Sequence, residues 1–280
     1  MIFYYFGGSL HDKNQMTNLD DLGFKGVLFT YVPHQGDVFT WMVDNMDKSK
    51  KIKYLIAIRP HTISPQYLSM IAHSMDKIAP ERLQINLIAG HIKPDEVDFG
   101  GILGEVNDRS SVKDRVNYMI EYLDVLNLMD TKLDFYVSCT NPYAFNAAAS
   151  HNNKIILPYR DYKKGYFDFR KDDGQVVPGQ KLDIRGKKIM LAVSPIIRNT
   201  QDEIDSEFPQ NISRRSYYGT EYLDRERFTA DTEYFTYEDF GVFIKKLESD
   251  GIKEVLFNSY SEKERENLIY FTARYMKENP

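Results

Sequence analysis

The sequence predicts an α/β fold, a (β/α)8 barrel of the TIM type, trimmed and interrupted by irregular excursions around 160–188 and 197–236. Three observations carry this. Eight short apolar runs recur along the chain, several segments between them have helical period, and the connections are short. The runs are almost continuously apolar rather than alternating, as a parallel sheet covered on both faces requires. No linker or internal repeat divides the 280 residues, so one domain over 1–280 is expected. A doubly wound open sheet is the alternative.

The first two runs, "IFYYFG" and "GVLFTYV", open the barrel, and "YLIAIR" comes next as the third strand. From Ser64, apolar residues fall at Leu68, Ile71, Ala72, Met75, Ile78 and Ala79, the spacing that lays one helical stripe against a sheet. Ser64 then Pro65 suits an N-cap and first helical position. After the fourth strand, "LQINLIAG", a helix is expected over 111–129, with Val116, Met119, Leu123 and Leu126 in phase. The fifth strand, "LDFYVSC", leads to a helix starting near Pro142.

After "KIILPY", the charged stretch "RDYKKGYFDFRKDDGQVVPGQ" stands where the sixth helix belongs, and a hairpin or irregular excursion is expected instead. Beyond "KIMLAVSPII", the chain turns helical at "TQDEIDSEF" and then stays polar to about 235, a length typical of functional loops. Two more helices, 237–249 and 261–276, flank the last strand, "EVLFNSY". Gly251 ends the first of them.

A net charge of −5 and a pI near 5.7 argue against a nucleic-acid or membrane face, since phosphate binding needs a basic surface. Small molecules or proteins are the expected partners. The lone Cys139 fits a reducing compartment, and the N-terminal "MIFYYFGGSLHDKN" has no basic start before a long apolar run. With no stretch near the roughly 18 apolar residues of a membrane span, a cytoplasmic location is the default. The 20 Tyr and 17 Phe lie largely in apolar runs, where rings fill a core.

Barrel enzymes place their chemistry after the C-terminal ends of the strands. His11, His34, Ala89, Thr140, Asn141 and Tyr260 occupy such positions, as do Tyr159 and Ser194. The six His have no HxH or HExxH spacing and Cys139 has no Cys or His neighbour, so no metal site is expected. There is no GxSxG elbow, and "GGILGE" at 100–105 is not a dinucleotide fingerprint. In "SCTNPYAF", the Thr140 hydroxyl and the adjoining helix N-terminus would hold a phosphate. A plain Thr or Asn cap is the equal alternative. His11 in a solvent loop and His34 capping a turn beside Pro33 are the structural readings of those two residues.

The phrase "AIRPHTISP", then "MDKIAPERLQINLIAG" and "DRVNYM", resembles the bacterial-luciferase-like flavin monooxygenases, most of all the alkanesulfonate monooxygenase branch. Ala57, Ile58, Arg59, Pro60, Ser64 and Pro65 match that family's strand-three turn. Asp76, Lys77, Ile78, Arg82 and Asn86 match the family's helix end and its next strand, while Glu81 replaces a family glycine. "SPIIRNTQDEID" and "FGVFIKKLESDGIKEVLFNSY" extend the similarity toward the C-terminus.

The resemblance implies a barrel binding reduced FMN delivered by a partner reductase, and oxygenation of a small organic or organosulfur compound through a peroxyflavin. A deazaflavin is the alternative cofactor, because related barrels bind one. It places the flavin against Ala57, Ile58 and Ala89, with a non-prolyl cis peptide at Ala57–Ile58, and the phosphate at Thr140, Asn141 and Arg115. Tyr260, His34 and His11 are the implied catalytic or substrate-placing side chains. A homodimer is implied by analogy.

The departures point elsewhere. Where alkanesulfonate monooxygenases end strand seven in Arg-Leu-His, this chain has Ala192, Val193 and Ser194. Asp37 stands nearest the family cysteine of strand two, and Glu262 replaces a C-terminal histidine. These losses raise a second reading, a flavin-binding barrel that no longer oxygenates.

Overall fold

The structure is a computed structural model that describes residues 1–6, 18–30, 37–89, 111–129, 131–170, 176–206, 232–259 and 262–280. All eight apolar runs form strands. They are β1 (Ile2–Phe6), β2 (Gly26–Phe29), β3 (Lys53–Ile58), β4 (Leu83–Leu87), β5 (Asp134–Ser138), β6 (Lys154–Pro158), β9 (Ile189–Arg198) and β11 (Glu254–Phe257). From β1 to β6 each pairs parallel with the next, β6 pairs with β9, β9 with β11 and β11 with β1. The sheet therefore closes into an eight-stranded barrel with no free edge in the ring.

Helices connect or follow these strands, among them α1 (Val38–Asn45), α2 (Pro65–Ile78), α3 (Val112–Leu128), α4 (Pro142–Ser150), α5 (Tyr159–Lys164), α6 (Tyr237–Ser249) and α7 (Glu262–Glu278). Their starts obey capping chemistry. Ser64, Ser111, Asn141 and Thr236 each accept an N–H three residues on, and Pro65 and Pro142 occupy first positions that need no donor. Gly251, at φ 84°, takes the left-handed conformation that ends α6.

The expected excursion after β6 is a short helix, α5, followed by an antiparallel hairpin of β7 (Tyr166–Arg170) and β8 (Val176–Lys181). The length of β9 was not expected. Its last five residues, Ser194–Arg198, run past the ring and pair parallel with β10 (Thr232–Thr236). A helical segment at 201–206 succeeds β9, as expected; residues 207–231 lie outside the described residues.

The expected cis bond at Ala57–Ile58 is corrected: no peptide among the described residues is cis. The trans bond keeps β3 in register to its end, where Ile58 pairs with Leu87 and its carbonyl accepts the Ile88 N–H at 3.0 Å.

Period-two alternation divides the core in two. Tyr54, Ile56 and Ile58 of β3 join an outer core under the helices, while Leu55 and Ala57 join Tyr4, Tyr136, Met190 and Leu256 inside the barrel. Two tyrosine rings, Tyr4 and Tyr136, share this interior with aliphatic side chains. A Cβ on Gly26 would sit 2.5 Å from the Tyr4 ring and 2.8 Å from the Lys53 carbonyl, so the glycine makes room for Tyr4.

Candidate active site

The barrel interior is polar at both ends and apolar between. At the N-terminal floor, Tyr4 donates to Gln84, Gln84 to Asp134 at 3.0 Å, and Lys154 to Asp134 at 3.1 Å and to Tyr136 at 3.2 Å. Tyr136 in turn donates to Glu254 at 3.1 Å. Burial pushes the Glu254 carboxyl up, and it pushes the Tyr4 hydroxyl up to about 12. At Asp134 the Lys154 and Gln84 hydrogen bonds outweigh burial and hold the carboxyl down. This network ties β1, β4, β5, β6 and β11 together and plugs the floor.

The opposite end opens into a cavity of about 290 Å³ at the C-terminal ends of the strands. Because inward positions alternate, four strands bring a late inward residue to it: Phe6 from β1, Ser138 from β5, Pro158 from β6 and Ser194 from β9. Below them Leu28, Ile156 and Leu256 close the apolar base. Volume and composition match the small end of ligand sites, which are mostly apolar with a few convergent polar groups.

The polar groups differ in their commitments. Ser138 donates to Asn86 Oδ1 at 3.0 Å, which ties the mouth of β5 to β4. Ser194 is 7% exposed, and Asn258, also in the lining, has a buried side-chain oxygen with no hydrogen-bond partner. Thr140 is exposed at the rim, just before α4. Tyr159 and Arg160 line the cavity from the first turn of α5.

Arg160 is the one charged side chain among the described residues of the lining. Its Nε donates to Asp161 at 3.4 Å, and its side chain is 17% exposed. Asp161 is 2% exposed, and burial pushes its carboxyl up to about 6 despite the Arg160 charge. No motif marks Arg160 in the sequence. The only available signal is its place directly after the sixth apolar run.

Among the sequence-predicted residues, Thr140 lines the cavity, as do Tyr159 and Ser194. Asn141 spends its side-chain oxygen on the Ala144 N–H at 2.9 Å, so the capping alternative is realised there. Ala57 is buried inside the barrel below the mouth, and Ile58 is buried on the outer side. Ala89 is half-buried just past β4. Arg115 is buried, 8% exposed, in the first turn of α3. His11, His34 and Tyr260 lie outside the described residues. Asp37, at the position nearest the family cysteine, caps α1 by accepting the Thr40 N–H at 2.7 Å.

Among the described residues no three His, Cys, Asp or Glu side chains converge on a common point, and no helix is long and apolar enough to cross a membrane.

No family model matches the chain. A stretch of 99 residues is 33% identical to the pyrimidine monooxygenase RutA of Caulobacter segnis. That stretch is 35% of this chain and 27% of RutA, so the chain matches about a quarter of that relative's length. Solved structures are similar across nearly all of the chain. A riboflavin lyase, RcaE, with modified FMN and riboflavin has a TM-score of 0.71 at 10% identity, covering 99% of this chain and 91% of that one. An F420-dependent secondary alcohol dehydrogenase has 0.64 at 14% identity, covering 99% and 97%. The chain is thus a TIM-type barrel that shares its fold with these enzymes, and the luciferase-like resemblance has a sequence relative in RutA over about a third of its length.

Proposed function

We propose that this protein is a luciferase-like, flavin-dependent oxidoreductase whose barrel mouth holds reduced FMN, supplied by a separate reductase, and oxygenates a small organic compound. One observation carries the reading: a cavity with an apolar base and a polar rim at the C-terminal ends of the strands, in a chain related in sequence to a monooxygenase.

The rim residues suit a flavin chemically. The Thr140 hydroxyl and the N-terminus of α4 offer donors to a phosphate. Asn141 caps the helix that aims them, and Arg115 adds charge behind α3. Ala57, Ile58 and Ala89, at or just past the ends of β3 and β4, are the proposed contacts of the flavin ring. When bound, the flavin supplies the electrons that activate oxygen. The protein contributes orientation, an apolar base that excludes water, and donors at fixed positions. Tyr260, His34 and His11 are the proposed substrate-placing groups.

A second reading is favoured by the β9 wall. Ala192, Val193 and Ser194 present no ionisable group to the cavity where alkanesulfonate monooxygenases present arginine and histidine, which suits a barrel that binds flavin without oxygenating. Rapid mixing of the protein loaded with reduced FMN against oxygen separates the two. Reoxidation slower than that of free reduced FMN is expected of the oxygenating enzyme; reoxidation at the free rate assigns the non-oxygenating barrel.

A further inference from the structure

We propose that the N-terminal face of the barrel, at the end of the molecule opposite the mouth, carries a binding site for a di- or triphosphate group. The proposal is independent of the flavin reading.

The site follows from where three parallel strands start. Lys25 and Arg82 directly precede β2 and β4, and Lys53 begins β3 between them. In-register pairing sets the three side by side: the Lys53 N–H donates to the Lys25 carbonyl at 2.9 Å, and the Tyr54 N–H to the Arg82 carbonyl at 2.7 Å. The segment leading from α1 into β3 reads "KSKKIK" and brings Lys50 and Lys51 to the same place. Together these residues line a cavity of about 720 Å³, within the range of small-molecule sites. Five cations thus converge in a chain whose net charge is −5.

Arg82 is the fixed member of the group. It is half-buried, and its guanidinium donates only to neutral oxygens: Nε to the Ile52 carbonyl at 3.0 Å, Nη1 to the Met46 carbonyl at 3.2 Å and Nη2 to the Tyr54 hydroxyl at 2.9 Å. These bonds hold the group without cancelling its charge. Lys25, Lys50 and Lys51 are exposed, and among the described residues no carboxylate lies within ion-pair distance of these three or of Arg82. Lys53 is half-buried, and its charge also bears on Asp134 and Glu254 of the barrel floor. Of the two carboxylates in the lining, Asp47 is paired with Lys48 at 3.0 Å, which leaves Glu81.

Such an imbalance suits a compact polyanion. A lysine ammonium is a point charge that meets phosphate oxygens from many directions. Three exposed lysines around one fixed guanidinium match the oxygens of two or three linked phosphoryl groups. Ile78, 68% exposed, with Met46 and Pro80 supplies an apolar wall for the body of an organic phosphate.

The test is calorimetric titration of the whole protein, in metal-free buffer of low ionic strength, with ATP, tripolyphosphate, adenosine and hexaglutamate. ATP and tripolyphosphate are expected to bind, with affinities that fall as salt is added, and adenosine not to bind. The double variant Lys50→Gln/Lys51→Gln should weaken both polyphosphates by about tenfold or more. Glu81→Gln should tighten both by about two- to fivefold, because it removes the lining carboxylate that no cation holds. The substituted side chains are exposed, so each variant is expected to fold like the wild type. ATP binding tighter than tripolyphosphate assigns the site to a nucleotide; equal affinity assigns it to an inorganic polyphosphate chain.

Absence of ATP and tripolyphosphate binding to the wild type overturns the proposal. Undiminished binding by the lysine variant overturns it too, since the polyphosphate would then sit elsewhere on the molecule. Hexaglutamate binding as tightly as ATP would make the patch a surface for acidic protein segments and overturn it as a phosphate site.

Discussion

Glu81 has φ at 61°, in the left-handed region that costs an L side chain about 1–2 kcal/mol. It stands where the resembling family carries glycine, so the mismatch read from the sequence appears in the backbone as strain. Glu81→Gly gains from relieved strain and costs the greater freedom of glycine in the unfolded chain, and a net stabilisation of up to about 1 kcal/mol is expected in urea unfolding. Asp161 gives a pH-dependent counterpart. Its folded pKa of about 6 lies above the ordinary 3.8, so between these values the folded state keeps a proton that the unfolded chain has released. That contribution is fully present below pH 3.8 and is lost as pH rises through 6. Asp161→Asn should be more stable than the wild type by on the order of 2–3 kcal/mol at about pH 7.5. The gap should close toward about pH 4 in unfolding curves taken across that range. A gap that does not change with pH would contradict the raised pKa of this buried carboxyl.

At the scale of elements, the extension of β9 is anchored by a buried pair. Arg198 Nη2 reaches Glu264 Oε1 at 2.5 Å and Nη1 reaches Oε2 at 3.0 Å, with the two residues only 4% and 5% exposed. Glu264 belongs to the first turn of α7, so the pair fastens that helix to the strand that carries β10. Removing one partner leaves a buried charge, and Glu264→Ala should destabilise by about 3–5 kcal/mol in urea unfolding. The strands of the ring were legible because both faces are buried and their sequences are unbroken apolar runs. The helix over 65–78 was legible from period and its Ser64 cap, and that over 112–128 from period. The pairing of β10 was not, because "TEYFT" is short and polar and finds its partner only through the extra length of β9. The luciferase-like motif was also legible, but much of it is scaffold. Ser64 caps α2, and Arg82 donates to the Ile52 and Met46 carbonyls and to Tyr54, binding the start of β4 to β3.

For the whole molecule, closure of the ring sets both ends of the interior. The polar plug at the floor fixes strand starts, and the same alternation brings Ser138, Ser194 and Asn258 to the mouth. Of the residues singled out from sequence, Thr140, Tyr159 and Ser194 reach that mouth because each lies at or just past a strand end. Arg160 reaches it too, but no motif marks it; its one sequence signal is its place directly after the sixth apolar run. The central claim is that the mouth holds a flavin. The most direct test is an anaerobic titration of the whole protein with reduced FMN, oxidised FMN and F420, following flavin fluorescence. Saturable binding that is tighter for reduced than for oxidised FMN is predicted; no binding of any of the three would contradict the claim.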